Sequence, residues 1–444
     1  MTSALAAADF LGGMEGWQRF IFVLGLAIIV TNLLWNVVLH TLSLRSRHGG
    51  PEGGDEHDFV WVFVVPALDE EVTIADSVQR LLEVECSNRL IIVVDDGSTD
   101  DTPNILAGID HPDVMVIRRE LPDARVGKAA ALNHAWRVIG EMSRSGRLVT
   151  FDPAHTIVGV VDADGRLASD APASVASWFA QPDVGGVQVR VRIYNRHHPL
   201  TWAQDVEFGV YGMLYQAARA RLGTAGMGGN GQFNRLTALD DLAASGTTPW
   251  RDRLTEDQDL GLQLIEAGWR CGHDNRTWVD QQGLPGLRRL FRQRTRWAQG
   301  NLQAMAHLRT VGRVPRPLGA RIDLVLYLMQ PVMQAVVGVA LATAIISWLI
   351  GDAPFLPESL AAIIVFYLFG FGGVILGCIA RSGRGPINWV RGWLIAMVYA
   401  AYTWLLWPVL IRAAWRQLRS NTGWAKTERE SIEGAVNSAD RIPS

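Results

Sequence analysis

Apolar and polar positions divide the chain into three zones. From Phe20 to Leu44 the run FIFVLGLAIIVTNLLWNVVLHTLSL carries no formal charge apart from titratable His40. At 1.5 Å per helical residue it is long enough to cross a ~30 Å hydrocarbon core. The residues before it, through Trp17, hold Asp9 and Glu15 and no Lys or Arg, unlike a cleaved signal peptide, so a retained anchor is predicted. Arg45 and Arg47 follow, which puts the downstream side in the cytoplasm.

A Gly/Pro/acid linker over 49–58 leads into a middle zone where short apolar runs alternate with helical periodicity. Strands are predicted at Trp61–Val65 (stopping at Pro66), Leu90–Val94, Val114–Ile117, Val158–Val161 and Val184–Val191. Helices are predicted at Glu70–Leu82, from Gly127-Lys128 through Val138, and from Thr255 to Ala267. That alternation reads as an α/β domain over 58–320, with ligands expected at the carboxyl edge of its sheet.

In the third zone, over 321–412, Ile322–Ile350 (interrupted by Pro331), Leu360–Ala380 and Trp393–Ile411 predict about three more membrane helices. A short non-cytoplasmic segment, 1–19, and a polar tail, 413–444, complete the organisation. The acidic loop near Asp352 suits the outside, and Arg381, Arg384 and Arg391 suit the inside. A third full crossing would place Arg412, Arg416, Arg419 and Lys426 outside, against the positive-inside tendency. Either one C-terminal run is re-entrant or interfacial, or the tail is an exception.

Composition narrows the function. Apolar residues make up 49% and charged residues 19% of the 444, high for a soluble protein and unevenly spread along the chain, and the net charge of −3 argues against nucleic acid as a partner. Cys86, Cys271 and Cys378 lie far apart, with no spacing that suggests a disulfide framework or a thiolate metal site.

Four stretches carry candidate chemistry. Asp162-Ala163-Asp164 ends an apolar strand, and positions i and i+2 point to one side, so both carboxylates can hold Mg²⁺ or Mn²⁺. The strand ends Pro66–Glu71 and Asp95-Asp96 add further polar groups suited to the N–H and O–H donors of a base and ribose. Gly127-Lys128 places a phosphate-binding ammonium at a helix start, or else is an ordinary helix start with a solvated lysine. In Thr255-Glu256-Asp257, Asp257 is either a general base or, with Glu256, a first-turn acid behind an N-cap Thr255. Gln293, Arg296 and Trp297 share a helix face near 286–310 that suits a diphosphate and a sugar ring. Arg288, Arg289, Arg292 and Arg294 on the same helix suit anionic lipid at an interface.

In this order, Asp95-Asp96-Gly97, Asp162-Ala163-Asp164, Thr255-Glu256-Asp257 and Gln293-x-x-Arg296-Trp297 resemble the membrane-embedded family 2 glycosyltransferases, the cellulose, hyaluronan, chitin and poly-N-acetylglucosamine synthases. The resemblance covers roughly residues 60–310. It implies a GT-A (Rossmann-like) catalytic domain between membrane helices, a UDP-sugar donor and Mg²⁺ or Mn²⁺ at Asp162 and Asp164. Pro66, Ala67, Asp69, Glu70, Asp95, Asp96, Lys128, Asp162 and Arg296 would then bind the donor, with Asp96 towards uracil and Arg296 on the diphosphate. Asp257 would be the inverting base, and Gly229, Asn230, Phe233, Glu256, Gln293 and Trp297 would face the acceptor. Trp424-Ala425-Lys426-Thr427 resembles a tail motif of bacterial members and favours a cytoplasmic tail. The chain departs at Leu68, where an aromatic often stacks on uracil, and at Val279-Asp280-Gln281-Gln282-Gly283, where many members carry a further Glu.

The expected activity is metal-dependent inverting transfer to a growing β-glycan at the cytoplasmic face of the cell membrane. Few spans are available for a private glycan channel, so an accessory membrane subunit or self-association would supply the rest. The alternative acceptor is a lipid that takes one or a few sugars. A transport or scaffold protein whose nucleotide fold no longer turns over is the third reading, and the full set of carboxylates weighs against it.

Overall fold

The β-branched apolar runs become the inner strands of one mixed, eight-stranded sheet: β1 (Val60–Ala67), β2 (Arg89–Asp95), β3 (Val114–Arg118), β4 (Thr156–Val160), β5 (Arg166–Leu167), β6 (Val184–Ile193), β7 (Gln232–Arg235) and β8 (Arg270–Gln281). The computed structural model of the chain describes residues 16–145, 152–244, 246–349 and 360–419. Strand order is β3-β2-β1-β4-β7-β6-β8-β5. β3, β2, β1 and β4 run parallel, β7 is antiparallel to both β4 and β6, and β8 is parallel to β6. Trp61 to Val65 are buried on both faces, which is why the sequence there shows an unbroken apolar run instead of alternation. β1 passes through Pro66 to Ala67 instead of stopping there. Its pairing with β4 ends at Val64–Val160, so a residue without an N–H is tolerated beyond that point.

The helices are α1 (Gly16–Ser43), α2 (Ile74–Leu82), α3 (Thr102–Ala107), α4 (Lys128–Arg144), α5 (Ala171–Phe179), α6 (Pro199–Val210), α7 (Ala217–Leu222), α8 (Leu236–Ala243), α9 (Glu256–Glu266), α10 (Leu287–Ala304), α11 (Leu318–Leu349), α12 (Leu360–Ser382), α13 (Pro386–Leu405) and α14 (Trp407–Leu418). A π-helical turn, Tyr211–Gln216, joins α6 to α7. On α2, Ile74, Val78 and Leu81 are buried at i, i+4 and i+7 against the sheet. The helix begins four residues later than the periodicity from Glu70 predicts. The Glu70 and Glu71 amides instead donate to the Thr102 hydroxyl and the Asp100 carboxylate, which fix a turn.

Among the described residues, three stretches are apolar enough by length and composition to cross a membrane: Gly16–Ser43, Leu318–Ile346 and Pro386–Leu418. α1 packs against α11 and α12. The last stretch is not continuous. Pro408 lacks the N–H that would extend α13, the helix breaks at Leu406, and Trp407 packs on Gly338 of α11. α14 then returns to α10, where Arg416 Nε donates to Gln299 at 3.2 Å. The loop around Asp352 and the tail with Lys426 and Trp424–Thr427 lie outside the described residues.

Candidate active site

Above the carboxyl ends of β1, β2 and β4 lies a cleft of about 1260 Å³, mouth included. Its wall takes residues from every segment singled out above: Pro66, Ala67, Glu70, Asp96, Lys128, Asp162, Asp164, Gly229, Glu256, Asp257, Gln293, Arg296 and Trp297. Leu68 is also in the wall, where a stacking aromatic is absent.

Lys128 opens α4 after Gly127, whose φ of 117° suits a residue without a side chain. Its Nζ donates to Asp162 Oδ1 at 2.5 Å and lies 3.9 Å from Glu256 Oε1. Burial works against its positive charge, but Asp162 and Glu256 outweigh burial and hold its pKa above the ordinary lysine value. Asp164 accepts from the Gln282 amide at 3.4 Å. Glu256 and Asp257 occupy the first turn of α9 and line the cleft, Glu256 buried and Asp257 half-buried. Burial, then the neighbouring Asp257 charge, raises the Glu256 pKa, and burial raises that of Asp257 against the pull of Lys128. Thr255 holds the N-cap position without capping: its hydroxyl donates to Gln258 Oε1 at 3.0 Å.

Gly229, at φ 75°, lets the chain pass directly over the acids. A Cβ there would sit 2.8 Å from Asp257 Oδ2 and 3.4 Å from Lys128 Nζ. On α10, Arg296 Nη1 donates to the Leu254 carbonyl at 2.8 Å. Trp297 meets Phe208 of α6 edge-on at 6.2 Å, and the Arg294 guanidinium stacks 4.1 Å above the indole.

Four expectations are corrected. Asp95 and Asp96 point to opposite sides of β2's end, so only Asp96 reaches the cleft; Asp95 accepts from Arg118 at 2.8 Å and from the Ser98 amide. Asp69 turns away to accept from the Thr99 amide and Arg125. Phe233 is fully buried between Trp61 and Phe63, a core residue that cannot face an acceptor. Asn230 lies behind the wall, accepting from the Asp162 amide and donating to Gln281, so it positions and does not line. In addition, Arg294 does not face lipid: it is buried and donates to Glu207 Oε2 at 2.6 Å, which also accepts from the Tyr402 hydroxyl at 2.9 Å. Sequence reasoning missed Phe208, Val191 and Gln281 in the wall. Gln281 ends strand β8 and was findable as a strand-end polar residue, whereas nothing local marks Phe208.

The donor set can be tested against a divalent cation. Six carboxylates line the cleft (Glu70, Asp96, Asp162, Asp164, Glu256, Asp257) and two cations oppose them (Lys128, Arg296). Even with Arg119 bound to Asp96, a diphosphate would enter a net negative cavity. Oxygen donors in excess, on adjacent i and i+2 positions, fit Mg²⁺ or Mn²⁺.

Residues 59–300 match the profile described as Glycosyltransferase like family 2. A β-monoglucosyldiacylglycerol synthase of Nostoc sp. is 33% identical over 290 residues, covering 64% of this chain and 56% of the relative. The Synechocystis sp. protein of the same name is 32% identical over 353 residues, covering 72% and 69%. The chain thus spans little more than half the length of the first of these curated relatives. A poly-β-1,6-N-acetyl-D-glucosamine synthase of Staphylococcus aureus is 25% identical over 246 residues, 55% of each chain. Among solved structures, a mannosyltransferase from Pyrobaculum calidifontis in complex with GDP-Man and Mn²⁺ superposes with a TM-score of 0.60 at 19% identity, covering 90% of this chain and 99% of that one. That likeness establishes the expected GT-A class of fold, with apolar helices flanking the domain.

Proposed function

The chain belongs to glycosyltransferase family 2, and from that premise we propose that it moves a hexose from a UDP-sugar to a lipid acceptor at a membrane surface, with inversion at the anomeric carbon. The observation that carries this reading is the convergence of Asp96, Asp162, Asp164, Asp257 and Arg296, from four separate segments, on one cleft beside the apolar helices. The lipid acceptor, over the polymer expected from sequence, is supported by the relatives at 32–33% identity. A growing β-glycan is the second reading, favoured by Gln293, Arg296 and Trp297 lining the same cleft.

In this mechanism the acceptor hydroxyl approaches beneath Gly229 and gives its proton to Asp257 as it attacks. Arg296 and Lys128 bind the diphosphate and offset the charge that develops on it as it leaves. Asp162 and Asp164 would hold Mg²⁺ or Mn²⁺, which supplies Lewis-acid stabilisation of that leaving group. Trp297, braced by Arg294 and Phe208, offers an apolar face to the acceptor.

The C-terminal stretch suits a re-entrant hairpin. Its start is fixed by Arg384 donating to the Leu44 carbonyl, just past α1, and its end by Arg416 on Gln299 of α10. Both ends therefore lie on the catalytic domain's side, so Arg412, Arg416 and Arg419 join Arg45 and Arg47 there, in agreement with a cytoplasmic catalytic domain.

Full-length protein in lipid nanodiscs containing diacylglycerol, offered UDP-glucose, UDP-N-acetylglucosamine, UDP-galactose and GDP-mannose in turn, tests the reading. A short glycolipid with release of UDP supports it. A long glycan would favour the second reading, and no nucleotide release from any donor would overturn both.

A further inference from the structure

Where α1, β6 and α12 meet, beside the last apolar turn of α1, several guanidinium groups gather around one carboxylate. Asp205 accepts from Arg381 Nη2 at 2.6 Å, lies 3.7 Å from Arg196 Nη1 and takes the Ile193 amide at 3.2 Å. Arg381 reaches it by crossing Gly209, where a Cβ would come within 2.5 Å of the guanidinium's Nε. Arg47 is buried and ties α1 to α12 through the Ser43 hydroxyl at 2.6 Å and the Ala380 carbonyl at 3.4 Å, both neutral partners. Arg384 is exposed and, among the described residues, donates to the Leu44 carbonyl, also neutral. Arg190, on β6, has an Nε that is buried and finds no hydrogen-bond partner among the described residues, and the same holds for Arg381 Nε.

Burial first, and then Arg381, Arg192 and Arg196, work against the Arg190 charge, which Asp205 favours; burial and then Arg384 work against that of Arg47. Arg190, Arg196 and Arg381 thus gather at Asp205 in a partly buried setting, while Arg47 and Arg384 beside them meet neutral partners. Unpaired, partly desolvated guanidinium charge is costly and calls for a counter-anion. The position limits which anion. The cluster lies at the end of the apolar α1, and exposed Ile387, Trp389 and Val390 of α13 continue from Arg384, the arrangement of side chains found where hydrocarbon meets headgroups.

We propose that Arg47, Arg190, Arg381 and Arg384 form a binding site for the phosphate of an anionic phospholipid in the leaflet next to the catalytic domain. The phosphodiester enters between α1 and the α12–α13 turn, pairs with Arg190 and Arg384, and leaves its acyl chains along the exposed face of α13. The site is separate from the cleft, and its occupancy does not depend on which sugar or acceptor the enzyme uses. Basic pockets of this kind, between membrane helices on the cytoplasmic side, are suited to such headgroups, at about 1 kcal/mol per arginine near the surface.

The test is lipid retention by the full-length protein, purified from nanodiscs of phosphatidylcholine doped with phosphatidylglycerol and read by native mass spectrometry. Wild type is expected to keep phosphatidylglycerol in preference to phosphatidylcholine. Arg190→Gln and Arg384→Gln should each weaken that preference by about fivefold, while Arg137→Gln, on the exposed side of α4, should leave it unchanged. Arg384 is exposed, so its variant keeps the fold even if Arg190→Gln does not. Equal retention of the two lipids by wild type, undiminished preference in Arg384→Gln, or displacement of the lipid by inorganic phosphate would overturn the proposal.

Discussion

Gly229→Ala puts a single methyl group where the structure leaves none to spare. The residue sits at φ 75°, and its Cβ would lie 2.8 Å from Asp257 Oδ2, about 0.6 Å inside ordinary carbon–oxygen contact. Two costs follow. The left-handed backbone alone costs roughly 1–2 kcal/mol for an L residue. The collision then pushes Asp257 off its line to the acceptor, and a displacement approaching 1 Å can cost about 10²-fold in rate. Gly246→Ala separates the two, because Gly246 has φ 81° with nothing within 4 Å of its Cβ. Thermal unfolding of both variants, together with steady-state transfer and donor KM, makes the assay. Both should lose stability by a similar small amount, and only Gly229→Ala should lose kcat, by about 10- to 100-fold, with donor KM little changed. Equal kcat in the two variants would refute the reasoning, since the acid beneath Gly229 would then not be in the reaction.

Other expectations follow from the same geometry. Lys128→Met leaves Asp162 and Glu256 facing each other without a cation, so donor KM should rise and kcat/KM fall by about 10² or more, read by nucleotide release. Chelation by EDTA should abolish transfer and Mn²⁺ restore it, whereas Asp162→Asn with Asp164→Asn should not be rescued at the same metal concentration. Arg294→Gln strands Glu207 beside Tyr402 and Trp297, and should destabilise by about 3–5 kcal/mol, against about 1 kcal/mol for Tyr402→Phe, by chemical denaturation in detergent. Burial would lower the His307 pKa, but its bonds to Asp259 and Glu266 raise it to about 9 from 6.5. Its contribution to stability is therefore whole below pH 6.5 and lost as pH climbs through about 9. His307→Gln should flatten that alkaline decline in the unfolding midpoint.

The acids were legible in sequence because each ends an apolar strand or starts a helix, and a Rossmann-like sheet brings those ends to one edge. Asp162 and Asp164 stand out as polar residues past an apolar strand, although β4 ends at Val160. A turn, with the Gly165 amide donating to the Asp162 carbonyl at 2.7 Å, brings both to the cleft instead of strand alternation. Lys128 needed only the helix start after Gly127. Asp95 was misjudged because a neighbouring pair on one strand end must split between the two faces, and only the tertiary position of Arg118 decides which acid is kept for structure. Phe233 was misplaced for a related reason. Alternation along β7 sends it into the Trp61–Phe63 aromatic core, a fact set by the antiparallel register with β4. Arg294 looked like part of a basic lipid-facing stripe. Its true partner, Glu207, comes from a helix 87 residues earlier, and nothing in α10 announces it. The break at Leu406 was hidden because hydropathy stays high through Pro408, although that proline marks it.

The central claim is that Asp257 takes the acceptor proton within a cleft that binds the donor independently. Asp257→Asn removes the base while nearly preserving shape, so the measurement is turnover of full-length protein in nanodiscs alongside UDP affinity by calorimetry. The account predicts a fall in kcat of about 10²–10⁴ with UDP binding intact. Turnover close to wild type in the folded variant would contradict it.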